Sequence, residues 1–429
     1  MLRSQRSSPM VEAPGSFGAR VAPRPQPLRL LSVFAAWRLE AYGYTLAAFY
    51  VVLFVYLCMA GSWILDGDSV PIYNNFTNMW VAGNQALHEQ AAAAYDPIEH
   101  LRAEDALVGA GRARFSVWPY PPIYFLILAP PGMLPYLAGF LTWVLGTLLS
   151  YVAILYSIVP RRPAIALSLA SPFVVWNTLA GQSGFLTASL LGGSLLLLER
   201  RPVLAGVFIG CLAYKPQWGI MLPVALVAAG QWRALASSAA AVALLVALSI
   251  AVFGTADWEA FPRELLGQAG INFSDNPDIA SLRFDPRGQW QYHQTIFGLI
   301  RALHGAAPLA WIMQGVTTMG AAVIVYAVWR SRVRYALKAA TLSAAALVAT
   351  PYAFAYDMAA IAIPVAFLAN EQIQFGLLKN EQPVLLLLFG ASLCCNLESL
   401  PLEPVVVIAL LCLILRRVFF DCTHARVCA

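Results

Sequence analysis

Residues 115–160 read FSVWPYPPIYFLILAPPGMLPYLAGFLTWVLGTLLSYVAILYSIVP, 46 positions without a formal charge between Arg114 and Arg161. Crossing the hydrocarbon of a bilayer takes ~20 apolar residues. The stretch therefore holds two crossings, and Pro130, Pro131 and Pro135 mark the break between them. Outward from it lie Ala41–Leu65 with 25 uncharged residues, Pro163–Leu198 with 36 and Ala234–Ala256 with 23. Gly181 and Gly184 divide the second of these. At 60% hydrophobic residues, 11% charged and a mean hydropathy of +0.67, the chain lies outside the range of a soluble domain. In lipid the backbone must bond to itself, which leaves helices as the spanning form. The expectation is an all-α integral membrane protein, a bundle of about 10–13 spans over residues 37–420, with short interfacial helices in its outer-face loops. Several spans are too short for a full crossing and read as half-helices or re-entrant pieces.

Charge placement predicts the orientation. Lysine and arginine gather at the N-terminal arm, Arg161–Arg162, Arg200–Arg201, Arg233, Arg330–Lys338, Lys379 and Arg416–Arg417. Of the 22 acids, 13 fall in two loops on the other side, about 66–120 and 253–294. The basic face reads as cytoplasmic, with both termini inside a bacterial inner membrane crossed many times. The net charge of +5 is explained by topology and carries no implication of nucleic acid. Residues 1–36, rich in Pro, Ser and Arg, read as a disordered cytoplasmic arm rather than a signal peptide. Leu28–Leu39 reads as a short amphipathic helix at the inner interface, and 421–429 as a cytoplasmic tail. The seven cysteines lack the spacing of a metal site and fall outside the outer loops, so they read as small buried hydrophobes. No metal or cofactor motif, Walker loop or nucleophile elbow is present.

The first outer loop carries Asp66, Asp68 and Asn75. Phe76, Met79, Trp80, Gly83 and Leu87 follow at helical spacing, an amphipathic helix for the outer surface that Tyr95-Asp96-Pro97 would stop. Trp118-Pro-Tyr120-Pro-Pro re-enters the bilayer. Lys215, in Tyr214-Lys215-Pro216-Gln217, sits at an outer span end, where an ionisable group marks a functional site unless it only snorkels. A cation there can hold a phosphate. Asp357, in Pro351-Tyr352…Tyr356-Asp357, is either a site acid or a helix N-terminal acid facing the dipole. Gln182 stands in the glycine turn Gly181-Gln182-Ser183-Gly184. His293 can hydrogen-bond a phosphate or carry a proton, or be a solvated loop residue.

Phe76…Trp80-Val-Ala-Gly83, Tyr95-Asp96-Pro97, Trp118-Pro-Tyr120-Pro-Pro, Gly181-Gln182-Ser183, Tyr214-Lys215-Pro216-Gln217 and Pro351-Tyr352…Tyr356-Asp357 occur in that order. Together they resemble the signature blocks of glycosyltransferase family 87, membrane enzymes of the GT-C superfamily. The resemblance runs from about residue 40 to about 400. It implies a polyprenyl-phosphate sugar as donor, a lipid or glycan acceptor, and an outer-loop acid as base. The acid would deprotonate the acceptor hydroxyl, which inverts the anomeric carbon as the lipid phosphate leaves. Tyr120, Gln182, Lys215, Gln217, His293, Tyr352 and Asp357 would contact the donor. Family members carry Asp directly before the Phe of the first block, and this chain has Asn75. An amide is no base, so Asp68 or Asp66 would substitute, or another acid such as Asp357. The alternatives are a secondary transporter or lipid-sugar flippase and an inactive family member.

Overall fold

The computed structural model describes residues 33–114, 118–273, 289–394 and 401–427. The arm expected over 1–36 lies outside them up to residue 32. The described chain is helical, with only two isolated bridges, Leu65–Pro71 and His293–Phe354, of extended type. Its α-helices are α1 Val33–Met59, α2 Asn75–Leu87, α3 Pro97–Val108, α4 Ile123–Gly132, α5 Tyr136–Ile158, α6 Arg162–Leu169, α7 Pro172–Ala180, α8 Gly184–Leu197 and α9 Pro202–Cys211. They continue as α10 Met221–Ala228, α11 Trp232–Phe253, α12 Ala256–Phe273, α13 Ile296–Ala302, α14 Ala307–Arg330, α15 Tyr335–Ala349, α16 Ala362–Phe375, α17 Glu381–Cys394 and α18 Glu403–Val427.

Five helices are long and apolar enough to cross a membrane: Glu40–Met59, Tyr136–Ile158, Trp232–Phe253, Ala307–Arg330 and Ala355–Phe375. The pair α6 and α7 makes a sixth if its 55° bend lies within one crossing. The other expected spans are apolar helices of 10–17 residues, among them α4, α8 and α15. They tile a protein interior rather than each bridging the hydrocarbon, the tolerated form for short pieces buried among neighbours. Leu28–Leu39 is not a separate interfacial piece in its described part, because α1 runs unbroken from Val33. Likewise residues 421–427 continue α18 rather than forming a tail.

Burial divides the bundle into shell and core. Only 6% of the apolar window of α11 and 11% of that of α1 is covered, so both turn their side chains to lipid. By contrast α15 is buried from Leu337 through Ala349 apart from Lys338. Its alanines let α10, α14, α16 and α18 close around it. A second core of Phe76, Met79, Trp118, Tyr124, Phe125, Phe140 and Tyr214 holds α2 against α4 and α5. Here Gly83 is obligatory, since a β-carbon on it would sit 2.6 Å from the Leu128 carbonyl.

Capping explains the first loop. Asn74 accepts the amides of Phe76 and Thr77 while Thr77 reaches back, a capping box that starts α2. The helix ends at Leu87, before the expected stop at Tyr95. Tyr95 instead closes a 3-10 turn, and Asp96 caps α3 with Pro97 at its first position. Asp-Pro here starts a helix; it does not end one.

Candidate active site

Three helices, α8, α10 and α15, begin or end at one pole of the bundle, and the turns there supply the site. Gly181, left-handed at φ +62, ends α7 and lets the Gln182–Ser183 turn lie on Phe76. Gly184 opens α8 directly beneath the Tyr356 carbonyl, 2.1 Å from where a β-carbon would stand. Its amide donates to Asn177 Oδ1 at 2.8 Å. Short 3-10 turns flank Lys215, Leu212–Tyr214 before it and Pro216–Gly219 after it. A further 3-10 turn, Ala355–Ile361, carries Asp357.

These turns meet in an ion pair. Lys215 Nζ lies 2.6 Å from Asp357 Oδ1, with both side chains 3% exposed. Asp357 Oδ2 accepts the Phe354 amide at 3.1 Å, so the carboxylate is fixed from two sides. The ammonium also stands 5.8 Å from the Tyr120 ring centroid and 5.4 Å from that of Tyr356. Of its three donors one is engaged by Asp357, and no other oxygen among the described residues takes the rest. The Tyr120 hydroxyl is in contact with Gln182 and Tyr356. Tyr214 shares a hydrogen bond of 2.6 Å with Thr187 and donates to the Ser183 carbonyl.

His293 joins from a distant part of the chain. It bridges to Phe354 through the backbone, the Gln294 amide donates to Ala353 at 2.8 Å, and the His293 ring packs against those of Tyr352 and Phe354. Its Nδ1 is buried without a hydrogen-bond partner among the described residues. Burial drives its pKa down to about 4, which makes it a neutral imidazole rather than a solvated loop residue.

Trp63 donates to the Leu179 carbonyl at 3.0 Å and so hangs the first loop beside the Gln182 turn. Asp66 is spoken for: Oδ1 accepts the amides of Asp68 and Val70, and Oδ2 pairs with Arg112 at 2.8 Å. The Val70 amide and then Arg112 hold its carboxyl below the ordinary range. Asp68 is exposed, and no hydrogen bond to its side chain comes from the described residues. Asn75, at the first turn of α2, is exposed as well.

Six residues proposed from the sequence therefore converge: Tyr120, Gln182, Lys215, His293, Tyr352 and Asp357. Gln217 is half-buried in the turn after Lys215 and hydrogen-bonds none of them. Lys215 does not snorkel, and Asp357 is paired rather than a simple helix-terminal acid. Tyr214, Tyr356, Asn177 and Thr187 belong to the site but were not singled out as contacts. The two tyrosines directly precede Lys215 and Asp357, and the amide and hydroxyl interrupt an apolar run, which are signals that could have found them. Among the described residues no group of three or more His, Cys, Asp or Glu side chains could hold a metal ion.

Fold and site define a multi-pass helical membrane protein with a polar, aromatic-lined site at one pole. The model of glycosyltransferase family 87 matches residues 118–351, more than half the chain. The chain belongs to glycosyltransferase family 87 and is a glycosyltransferase. No curated protein and no solved structure matches it. The matched stretch contains Tyr120, Gln182, Lys215, Gln217 and His293, while the loop with Asp66, Asp68 and Asn75 precedes it, and Tyr352 and Asp357 follow it. Membership in a transferase family decides between the transferase and transporter readings.

Proposed function

We propose that the protein moves a sugar from a polyprenyl-phosphate donor to an acceptor hydroxyl on the extracytoplasmic face of a bacterial inner membrane, with inversion. One observation carries this reading: the Lys215 ammonium, held by Asp357 inside a cage of tyrosines, keeps donors free. A leaving lipid phosphate gains negative charge as its bond to the anomeric carbon breaks. Preorganised cationic donors stabilise such charge at the moment it forms. Asp357 supplies no proton acceptor in this scheme, because one oxygen is on Lys215 and the other on a backbone amide. The base is Asp68, which is exposed and unpaired among the described residues, rather than Asp66, whose oxygens are occupied. The acceptor oxygen loses its proton to Asp68, bonds to the anomeric carbon, and the polyprenyl phosphate departs with the electron pair.

The test supplies purified protein with radiolabelled polyprenyl-phosphate sugars and a panel of acceptors. Transfer that Lys215→Met abolishes supports the reading; passage of the intact lipid-sugar across a bilayer without transfer would sink it. For the base, Asp68→Asn is expected to lower kcat by roughly 10²–10⁴-fold. Asn75→Asp, in that background, should return part of the rate from the position beside the Gln182 turn. Asp66→Asn should change the rate little. An unaltered rate in Asp68→Asn assigns the proton to another group.

A further inference from the structure

At the pole opposite the Lys215–Asp357 pair the bundle opens into a cavity of about 530 Å³. The same three helices connect the two ends. α8 runs from the Gln182 turn to Glu199, α10 from the Lys215 turn to Gly230, and α15 from Tyr335 back to the Asp357 segment. α8 alone separates them by about 20 Å at 1.5 Å per residue. The lining is mostly polar and includes Glu199, Gln231, Arg330, Ser331, Tyr335 and Lys338. Lys338 Nζ donates to the Trp329 carbonyl at 3.2 Å, and Arg330 lies against Tyr326 one turn back. Neither cation forms a close ion pair among the described residues, although Glu199, on the same cavity wall, attracts Lys338 through space. The lining itself holds two cations and one acid, and the exposed Arg200, Arg201, Arg233 and Arg332 lie next to lining segments in the sequence. Trp232, 61% exposed, and the buried Trp329 flank the opening, the residue type that seats at the headgroup level.

We propose that this cavity binds the phosphate headgroup of an anionic phospholipid. Arg330 and Lys338 take the phosphate oxygens, Gln231 and Ser331 the headgroup hydroxyls, and the acyl chains lie along the lipid-facing surface outside. A phosphate anion fits because the guanidinium and ammonium converge on a polar space too small for a protein segment. The lipid source fits because the site stands at the end of a membrane bundle, beside the exposed Trp232 and a run of exposed arginines. Basic pockets between spanning helices recognise lipid phosphates in this way. Cations that serve only to orient the chain would attract anionic lipid diffusely, without dependence on these two side chains.

Native mass spectrometry of the purified full-length protein in detergent tests this, with phosphatidylglycerol and phosphatidylcholine offered at equal concentration. Each surface cation contributes roughly fivefold to such binding. Preferential retention of phosphatidylglycerol is therefore expected to fall by about 25-fold in the double variant Arg330→Gln, Lys338→Gln. Glu199→Gln, at an exposed position that should not disturb folding, is expected to raise retention several-fold by removing the one opposing charge. Either substitution leaving phosphatidylglycerol retention at the wild-type level overturns the assignment. Protection against thermal unfolding by millimolar glycerol phosphate, equal to that of the lipid, overturns the lipid source.

Discussion

Two buried ionic centres stand at opposite poles of this bundle, and their construction differs. At the pole of the candidate site a single lysine meets a single aspartate within tyrosine rings. At the other, Arg417 grips Glu381 with both Nε and Nη2 at 2.9 and 2.8 Å and also bonds the Gly376 carbonyl. Arg334 joins Glu371 and Asp421, lies 3.7 Å over the Phe375 ring, and offers its amide to Asp421. Glu381 also accepts the Leu378 amide and Gln372. A guanidinium fork saturates carboxylates in fixed geometry, whereas an ammonium is a point charge with interchangeable donors. The arginine network ties α15, α16, α17 and α18 together, with most of its donors spent on carboxylates. The lysine pair holds the Ala355–Ile361 turn in place and keeps donor capacity in reserve.

Pairing chemistry predicts which centre fails in which assay. Removing one partner of a buried pair strands the other charge, at a cost of about 3–5 kcal/mol, while replacing both by apolar residues is near neutral. Lys215→Met with Asp357→Leu should therefore fold like the wild type, yet lose at least 10²–10³-fold in transfer rate, read with labelled donor. Recovered activity in that double variant would make the pair structural and erase the contrast. Arg417→Met should do the reverse. We expect a loss of about 3–5 kcal/mol in unfolding free energy, with the specific activity of the folded fraction unchanged.

Gly184 sharpens the comparison at smaller scale. Gly184→Ala would place a methyl 2.1 Å from the Tyr356 carbonyl and push the Ala355–Ile361 turn off α8. Overpacking of this kind costs about 1–3 kcal/mol. Since that turn carries Asp357, transfer should fall by more than the stability loss explains. Gly390→Ala, in α17 with open space around the glycine, is the control and should change neither.

The ionic centres also mark how far the sequence can be read. Long apolar runs, their proline breaks and the loops rich in acids disclose a helical membrane bundle, because span length and lipid solvation act on local composition. The amphipathic stripe of Phe76, Met79 and Leu87 foretells α2 for the same reason. Asp96-Pro97 is read as a stop because helix-breaking and helix-starting proline look alike until the cap is seen. The pairing of Lys215 with Asp357 joins positions 142 residues apart, and no local pattern encodes it. Sequence alone therefore leaves them as two separate candidates. Asp66 and Asp68 are indistinguishable on paper; Arg112, 46 residues later, is what removes the first from the list of free acids.

The remaining prediction concerns protons, and its effect is smallest near neutral pH, where it vanishes. His100 and His293 lie at the site pole, and burial lowers both pKa values to about 4. His100 bonds Asn78 and Gln85 between α2 and α3, while His293 packs on the segment leading to Asp357. An unfolded chain protonates histidine near pH 6.5. Above that pH both states are neutral and neither histidine makes stability depend on pH. Between about pH 6.5 and pH 4 the unfolded chain takes up protons that the folded one refuses, so stability falls with acidification. Each group contributes on the order of 3 kcal/mol across the whole interval, and less than half of that by pH 5.5. His293→Phe should flatten the acid side of a melting-temperature profile between pH 7.5 and 5, and His100→Asn should do so independently. If His293 also donates from its other nitrogen to the sugar phosphate, His293→Phe will raise KM at pH 7.5 while His100→Asn leaves it alone. A wild-type profile that is flat down to pH 5 would mean that water reaches both rings, and the site pole would then be open rather than closed around its ion pair.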